Sequence, residues 1–283
     1  MNGFFLINKK QNMTSHDVVN FIKRKFNFDK VGHTGILDPL AGGLLIILVN
    51  KATKLSFLFN DLDKTYTGNI LFNYNYDTLD ITGNLIETKN IILSEKEIKE
   101  NIRFFNQKKY FQIPPMYSAI KVKGQKLYHL ARKNVAISVP PREVFIYKFQ
   151  MLGSLEENTI NFEAQVSKGT YIRSLARDLA NKINTFGVIK SLIRTKIGTY
   201  NLKEAHDLDT VMLDHFIDAK ILFQDTQKII LNDYLIKLIK NGIMLDERQI
   251  ITTEPFVVTD EQNNYIAYYE PIKKNKYIIK YLF

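Results

Sequence analysis

VGHTGILDPLAGGLL, residues 31–45, sets a single carboxylate, Asp38, in a loop of glycines and apolar residues with a proline directly behind it. Gly32, Gly35, Gly42 and Gly43 flank that carboxylate, and glycine serves where a backbone needs positive φ or a close approach. Pro39 fixes its own φ and confines Asp38 to extended conformations. An aspartate held this way either points at something beyond the turn or caps the turn's own backbone, the common role of Asp in an Asp-Pro step. The stretch alone leaves these readings level. LLIILVN (44–50), directly downstream, is a continuous apolar run suited to a strand buried on both faces.

Composition narrows the partner. The chain has 283 residues, 45% hydrophobic and 12% aromatic, enough for one large domain or two with a proper core. Lys and Arg number 39 against 29 Asp and Glu, giving +10 and a pI near 9.4. Such an excess favours a polyanion, nucleic acid before membrane. A generally basic proteome, to which the abundant Lys, Asn and Ile point, would produce the same excess, so the charge is supporting only. With no cysteine there is no disulfide framework, thiolate metal site or cysteine nucleophile. The N-terminal apolar run is too short for a signal peptide, and no stretch approaches the roughly 18 apolar residues of a membrane span. A cytoplasmic protein that does not engage membranes is therefore expected. His16, His33, His129, His206 and His215 form no H-x-x-x-H pair, so no metal is expected.

Pattern along the chain is mixed. GFFLINK reads as a buried strand, TSHDVVNFIKRKF as a helix capped by Thr14 or Ser15, and KTYTGNILFNY as a further strand. SEKEIKENIRFF is a helix opened by Ser94, VFIYKFQML and TINFEAQVSKG form a hairpin, and TYIRSLARDLANKI is an amphipathic helix. Its stripe is Ile172, Leu175, Ala176, Leu179, Ala180 and Ile183. QIPPMYSAIKVKGQKLYHLARKN has no dominant period. Beyond about residue 205 two helices are expected, and the tail EPFVVTDEQNNYIAYYEPIKKNKYIIKYLF (254–283) reads as three short strands. The fold class is α+β, with a small appended β module.

Taken in order, these stretches resemble the bacterial tRNA pseudouridine synthases of the TruB type. VGHTGILDPLAGGLL is similar to that family's catalytic signature, DKTYTGNILF to its second motif and PPMYSAIKVKGQKLYHLAR to its RNA-gripping insertion. SKGTYIRSLARDL resembles the segment with the active-site arginine, and GFFLINKKQNMTSHDVV the opening segment. Gly42 stands where the family usually has threonine; NYNYDTLDITG keeps Asp77, Thr78, Asp80 and Gly83 but lacks the usual Leu-Gly and first threonine. The resemblance runs from residue 3 to about 200. It implies a mixed, largely antiparallel-sheet catalytic domain over 1–205, with the insertion at about 112–134. It also implies a C-terminal PUA-like module within 206–283.

The resemblance further implies that Asp38 is the nucleophile, Tyr66 stacks on the target base, and Arg173 is the active-site arginine. His33 would fill the space of a flipped base, while Leu192, Arg194, Lys54 and Tyr171 match pocket positions. The chemistry suits these residue types. Making the C-glycoside isomer of uridine requires the N1–C1′ bond to break, the base to turn and C5 to join C1′. A carboxylate serves at C1′ or C6, a guanidinium favours its ionised form, and a phenol offers a π face and a proton route. By spacing alone Arg173 would be a solvated helix edge with Arg177 as companion, Tyr66 a strand residue packing sideways, and Leu192 equally a core residue. In the insertion, Lys121, Lys123, Lys126 and Arg132 are interleaved with Tyr117 and Tyr128, which fits the phosphates and splayed bases of a folded RNA loop. The expectation is a monomer without cofactor that isomerises uridine 55 in the T-loop of tRNA. The alternatives are a tRNA-binding folding chaperone of the same fold and a base-removing glycosylase, which would need a second carboxylic acid.

Overall fold

Segments of alternating and of continuous apolar character build one large mixed sheet, and the loop bearing Asp38 emerges from its centre. The computed structural model describes residues 1–122, 124–131, 133 and 137–283. Lys123, Arg132 and residues 134–136 lie outside the described residues, as do the side chains of Lys121 and Lys126. β1 (Gly3–Lys9) leads into α1 (Ser15–Phe26), where Thr14 and Asp17 bond reciprocally across the first turn, a capping box that starts the helix sharply. β2 (Val31–His33) and β3 (Gly42–Val49) flank the Asp38 loop. β4 (Lys64–Phe72), α2 (Glu95–Phe105, capped by Ser94) and β5 (Lys108–Gln112) follow. The hairpin β6 (Arg142–Glu156) and β7 (Thr159–Val166), then α3 (Ile172–Lys182) and β8 (Gly187–Ile197), complete this unit.

Strand order is β1-β3-β8-β4-β7-β6-β5, with β2 beside β3. The short strands His206–Asp207 and Ile217–Asp218 both pair with β1. β3 runs parallel to β8, while β8, β4, β7, β6 and β5 are successively antiparallel. The apolar run of β3 has a simple cause. Leu45, Ile47 and Val49 join the cluster beneath α1 and α3, while Leu44, Ile46 and Leu48 pack with Phe4, Leu6 and Phe59 on the other face. The α3 stripe is buried as its spacing predicts.

A second sheet follows, built from β9 (Gln227–Ile230), β10 (Leu245–Asp246), β11 (Phe256–Thr259), β12 (Tyr265–Lys273) and β13 (Lys276–Leu282). Its order is β9-β11-β12-β13-β10, and α4 (Asp233–Lys240) packs on it. The three strands expected in the tail form as β11, β12 and β13, whereas the two helices expected before them become one α-helix together with strands β9 and β10. The spacing of Leu208, Val211, Ala219 and Phe223 imitates a helix. Leu208 and Val211 plug the main core, however, whereas Ala219 and Phe223 plug the seam where Ala52 and Leu55 meet Val257, Tyr268 and Tyr281. A single helix could not serve both, and 3-10 turns at Leu213–His215 and Ala219–Phe223 connect them instead. No described helix is long and apolar enough to cross a membrane.

Candidate active site

The Asp38 loop is gripped before it turns. Leu37 is buried in the main core, its N–H donates to Ser15 Oγ (2.9 Å), and that hydroxyl donates to the Leu37 carbonyl (3.2 Å). Backbone bonds Ala41 N–H to Asp38 O (3.0 Å) and Asn12 N–H to Pro39 O (2.8 Å) close the turn. The turn is thus held by backbone and by Ser15, and the Asp38 side chain caps nothing in it. Among the flanking glycines, Gly43 is the one the geometry demands: φ is +101°, and an added Cβ would lie 2.4 Å from the Arg194 carbonyl. Gly32 and Gly35 have ordinary room.

Asp38 Oδ2 instead meets Arg173 Nε at 2.8 Å. Arg173 enters from the first turn of α3 with its side chain 5% exposed, whereas that of Asp38 is 37% exposed. The guanidinium is fully engaged: Nη1 donates to Thr78 O (2.7 Å) and Nη2 to Tyr117 O (2.9 Å). Asp80 Oδ2 lies 3.8 Å from Nε. Asp80 is itself buried, and its Oδ1 accepts from Thr78 Oγ1 (2.8 Å), Thr82 N–H (3.0 Å) and Thr82 Oγ1 (2.6 Å). Asp38 Oδ1, by contrast, has no hydrogen bond to a described residue, so that side of the carboxylate is left open.

Around the pair lies a cavity of about 500 Å³ lined by His33, Tyr66, Tyr171, Leu192, Arg194, Lys64, Ser118 and others. Strand register explains the grouping. Arg194 on β8 stands opposite Tyr66 on β4, and Leu192 opposite Gly68, so one sheet face presents Lys64, Tyr66, Leu192 and Arg194 together. Arg194 is 2% exposed, and its Nε donates to Leu44 O (2.8 Å). Cations dominate the electrostatics. Burial pulls the Lys9 ammonium down to about 8 against the opposing pull of Asp38, and Lys9 donates to Met13 O (2.6 Å) and Lys10 O (3.0 Å). Burial also brings Lys64 down to about 8, with Arg194 adding to the effect. Burial and then Arg194 lower His33 below its usual range, and its buried Nδ1 has no partner among the described residues. The Tyr171 phenol is raised by burial. A cavity so charged suits a phosphate-bearing ligand.

Of the residues singled out in the sequence, Asp38, Tyr66, Arg173, His33, Tyr171, Leu192 and Arg194 converge on this cavity. Lys54 is exposed on the 3-10 turn Asn50–Ser56 and does not line it. Tyr117 contributes its backbone carbonyl to Arg173, and its hydroxyl reaches Asp77 Oδ2 at 3.4 Å. Lys121 lies in a two-residue strand paired with Gln125–Lys126, and Lys123 is outside the described residues. The insertion has a small core of its own in Leu127, Leu130 and Val139. Sequence reading noted Asp80 among Asp77, Thr78 and Gly83 without giving it a place in the site, and it passed over Lys9. The signal for Asp80 was the Asp77, Thr78, Asp80, Gly83 spacing, since a Cβ on Gly83 would come within 2.2 Å of Asp77 Oδ1.

Residues 23–172 match the family described as TruB family pseudouridylate synthase (N terminal domain). The chain is 56% identical over 283 residues to the tRNA pseudouridine synthase B of Aster yellows witches'-broom phytoplasma and 51% identical to that of Acholeplasma laidlawii, in each case over 100% of both chains. Among solved structures it superposes on a chain of a Cbf5-Nop10-Gar1 complex with a TM-score of 0.69 at 20% identity, covering 98% of this chain and 82% of the other. An H/ACA RNP bound to a substrate RNA containing 2′-deoxyuridine gives a TM-score of 0.67 at 17% identity, covering 99% and 83%. These two likenesses establish the fold, α+β with a C-terminal β module.

Proposed function

The chain belongs to the TruB family of pseudouridylate synthases, and from that premise we propose that it isomerises uridine 55 in the T-loop of tRNA to pseudouridine, with Asp38 as nucleophile. Pseudouridine formation in tRNA is the activity its full-length relatives are named for. The observation that carries the finer reading is the 2.8 Å contact between Asp38 and a buried, fully engaged Arg173 at the wall of a cation-rich cavity. Arg173 pairs with Asp38 and fixes one of its oxygens, and the other faces the sugar of a uridine turned out of its stack. Tyr66 offers its ring to the base and its phenol to the C5 proton. Neutral His33 takes the place the base has left. A base-removing glycosylase would need an acid beside Asp38, and the nearby Asp80 is committed as acceptor of three hydrogen bonds at one oxygen.

Release of tritium from C5-labelled uridine in a tRNA transcript tests the reading. The expected result is release with the base retained and the label mapped to position 55. Free uracil would mean a glycosylase, and tight binding without release a folding chaperone. A companion measurement concerns the insertion, read as the RNA grip from its sequence. Neutralising Lys121, Lys123 and Lys126 together should weaken tRNA binding and flatten the slope of log affinity against log salt by about two units, because each lost phosphate contact retains its counterion. An unchanged slope would remove the insertion from the grip.

A further inference from the structure

The insertion leaves β5 at Gln112, 1% exposed at the outer edge of the large sheet. Its amide oxygen accepts from Tyr171 N–H at 2.8 Å. Its amide nitrogen donates to the Tyr171 carbonyl at 3.1 Å and to the Tyr110 hydroxyl at 2.6 Å. The Tyr110 hydroxyl passes on to Asp178 Oδ2 at 3.4 Å, and the other Asp178 oxygen receives Nε and Nη2 of Arg177. Arg177 Nη2 also returns to the carbonyl of Ile113 at 2.9 Å, where Ser174 Oγ donates as well at 2.9 Å. Ile113 follows Gln112, so the circuit closes. Burial raises both the Tyr110 phenol and the Asp178 carboxyl above their usual values, as for a network shielded from water.

Tyr171 is the residue at which α3 begins, and its side chain caps nothing. Helix starts ordinarily carry Ser, Thr, Asp or Asn for that purpose. Here a glutamine from a different strand clamps both backbone polar atoms of the cap residue. Arg173 follows two residues later, so this clamp fixes the origin from which its guanidinium reaches Asp38, Thr78 and Tyr117. Because Tyr117 belongs to the same strip of chain as Gln112, residues 112–117 are fastened to α3 at both ends.

We propose that Gln112 is a positioning residue for the Asp38–Arg173 pair: its amide seats the start of α3 against the root of the insertion, so that Arg173 Nε meets Asp38 only while that root is in place. It acts through Arg173 and touches no reacting atom. The proposal rests on the reading of Asp38 and Arg173 as the reacting pair.

Gln112→Glu keeps the shape and tests the amide. An ionised glutamate still accepts from Tyr171 N–H, but it loses both donations and faces the Tyr171 carbonyl. At about pH 8 and saturating tRNA, kcat should fall on the order of tenfold to a hundredfold, the scale of a small misplacement of a catalytic group. The Kd for tRNA should stay within about twofold of the parent, because phosphate contacts away from α3 carry most of the affinity. Burial and the Asp178 carboxylate oppose ionisation of such a glutamate, while Arg142, opposite it on β6, and Arg177 favour it. Towards about pH 6 it becomes an acid whose O–H donates to the Tyr171 carbonyl, and the ratio of variant to parent kcat should climb severalfold. A purely fold-holding role would lower Tm without that recovery in folded protein. Gln112→Met, neutral and apolar, stays folded where the glutamate does not and should lose kcat at every pH.

A second readout needs no RNA. The Arg173 Nε–H resonance of the free protein should shift and broaden in Gln112→Glu at about pH 8 and return towards its parent position as the acid forms at lower pH. Parent kcat at about pH 8, an unmoved Nε–H resonance, or a kcat loss matched by lost tRNA affinity would each overturn the proposal. Should the parent protein release no tritium from labelled tRNA, the functional reading fails, and the Nε–H resonance still decides on Gln112.

Discussion

Asp38→Asn should bind tRNA as the parent does and isomerise it at least about 10⁴-fold more slowly, the scale seen when a catalytic nucleophile is removed. The amide matches the carboxylate in size, and the turn does not depend on this side chain: Ser15 and backbone bonds hold it. The amide oxygen still accepts from Arg173 Nε, so the loss of stability is about 1–2 kcal/mol, the difference between a charged and a neutral acceptor. What disappears is the negative charge and the oxygen proposed to attack the uridine. Had Asp38 been a turn cap, Asn would have replaced it without effect on turnover. Tritium release and filter binding on one preparation separate the outcomes, and parent-like turnover would refute the nucleophile assignment.

Arg173→Lys should lower turnover on the order of 10²–10³-fold, the usual consequence of losing a preorganised charged donor. Lysine keeps the charge and loses the geometry. Its ammonium cannot reach Asp38, the Thr78 carbonyl and the Tyr117 carbonyl together, as the guanidinium does with Nε, Nη1 and Nη2. Buried acceptors are then left without donors, which should cost about 2–4 kcal/mol and appear as a lowered Tm. An arginine on a solvated helix edge would cost within about 0.5 kcal/mol on the same substitution. Full turnover together with an unchanged Tm would return Arg173 to that reading.

Local signals in the chain carried much of this arrangement. Thr14 and Ser94 cap the helices their positions announce, the run at 44–50 is buried on both faces, and 172–183 presents its stripe to the core. Those features depend on neighbours within a turn or a strand. The site was legible through the resemblance rather than through spacing, which by itself left Arg173 at a solvated edge. Gln112 escaped notice because its partners are distant in sequence, and nothing in the local bonds of Asp80 to Thr78 and Thr82, or of Lys9 to Lys10 and Met13, announces their places beside the site. Gln112 meets Tyr171 across 59 residues, and Arg173 meets Thr78 across 95. The three strands of the tail were legible, whereas β9 upstream of it was missed: it pairs in parallel with β11 and is largely exposed, so its QKII carries no alternation to read.

The pairing of β1 with His206–Asp207 and Ile217–Asp218 has a temporal consequence. Asn8 donates to Asp207 across 199 residues, which at ribosomal speeds of 5–20 residues per second is about 10–40 s of synthesis. Throughout that interval one edge of the first strand lacks its partners, the state in which strands recruit foreign chains. Arg173, too, emerges long after Asp38, so Asp38 waits on the ribosome without the guanidinium that pairs with it. A nascent chain stalled before residue 206 would therefore be a binding site for chaperones at its own N-terminal strand, and release of that chaperone would mark completion of the sheet.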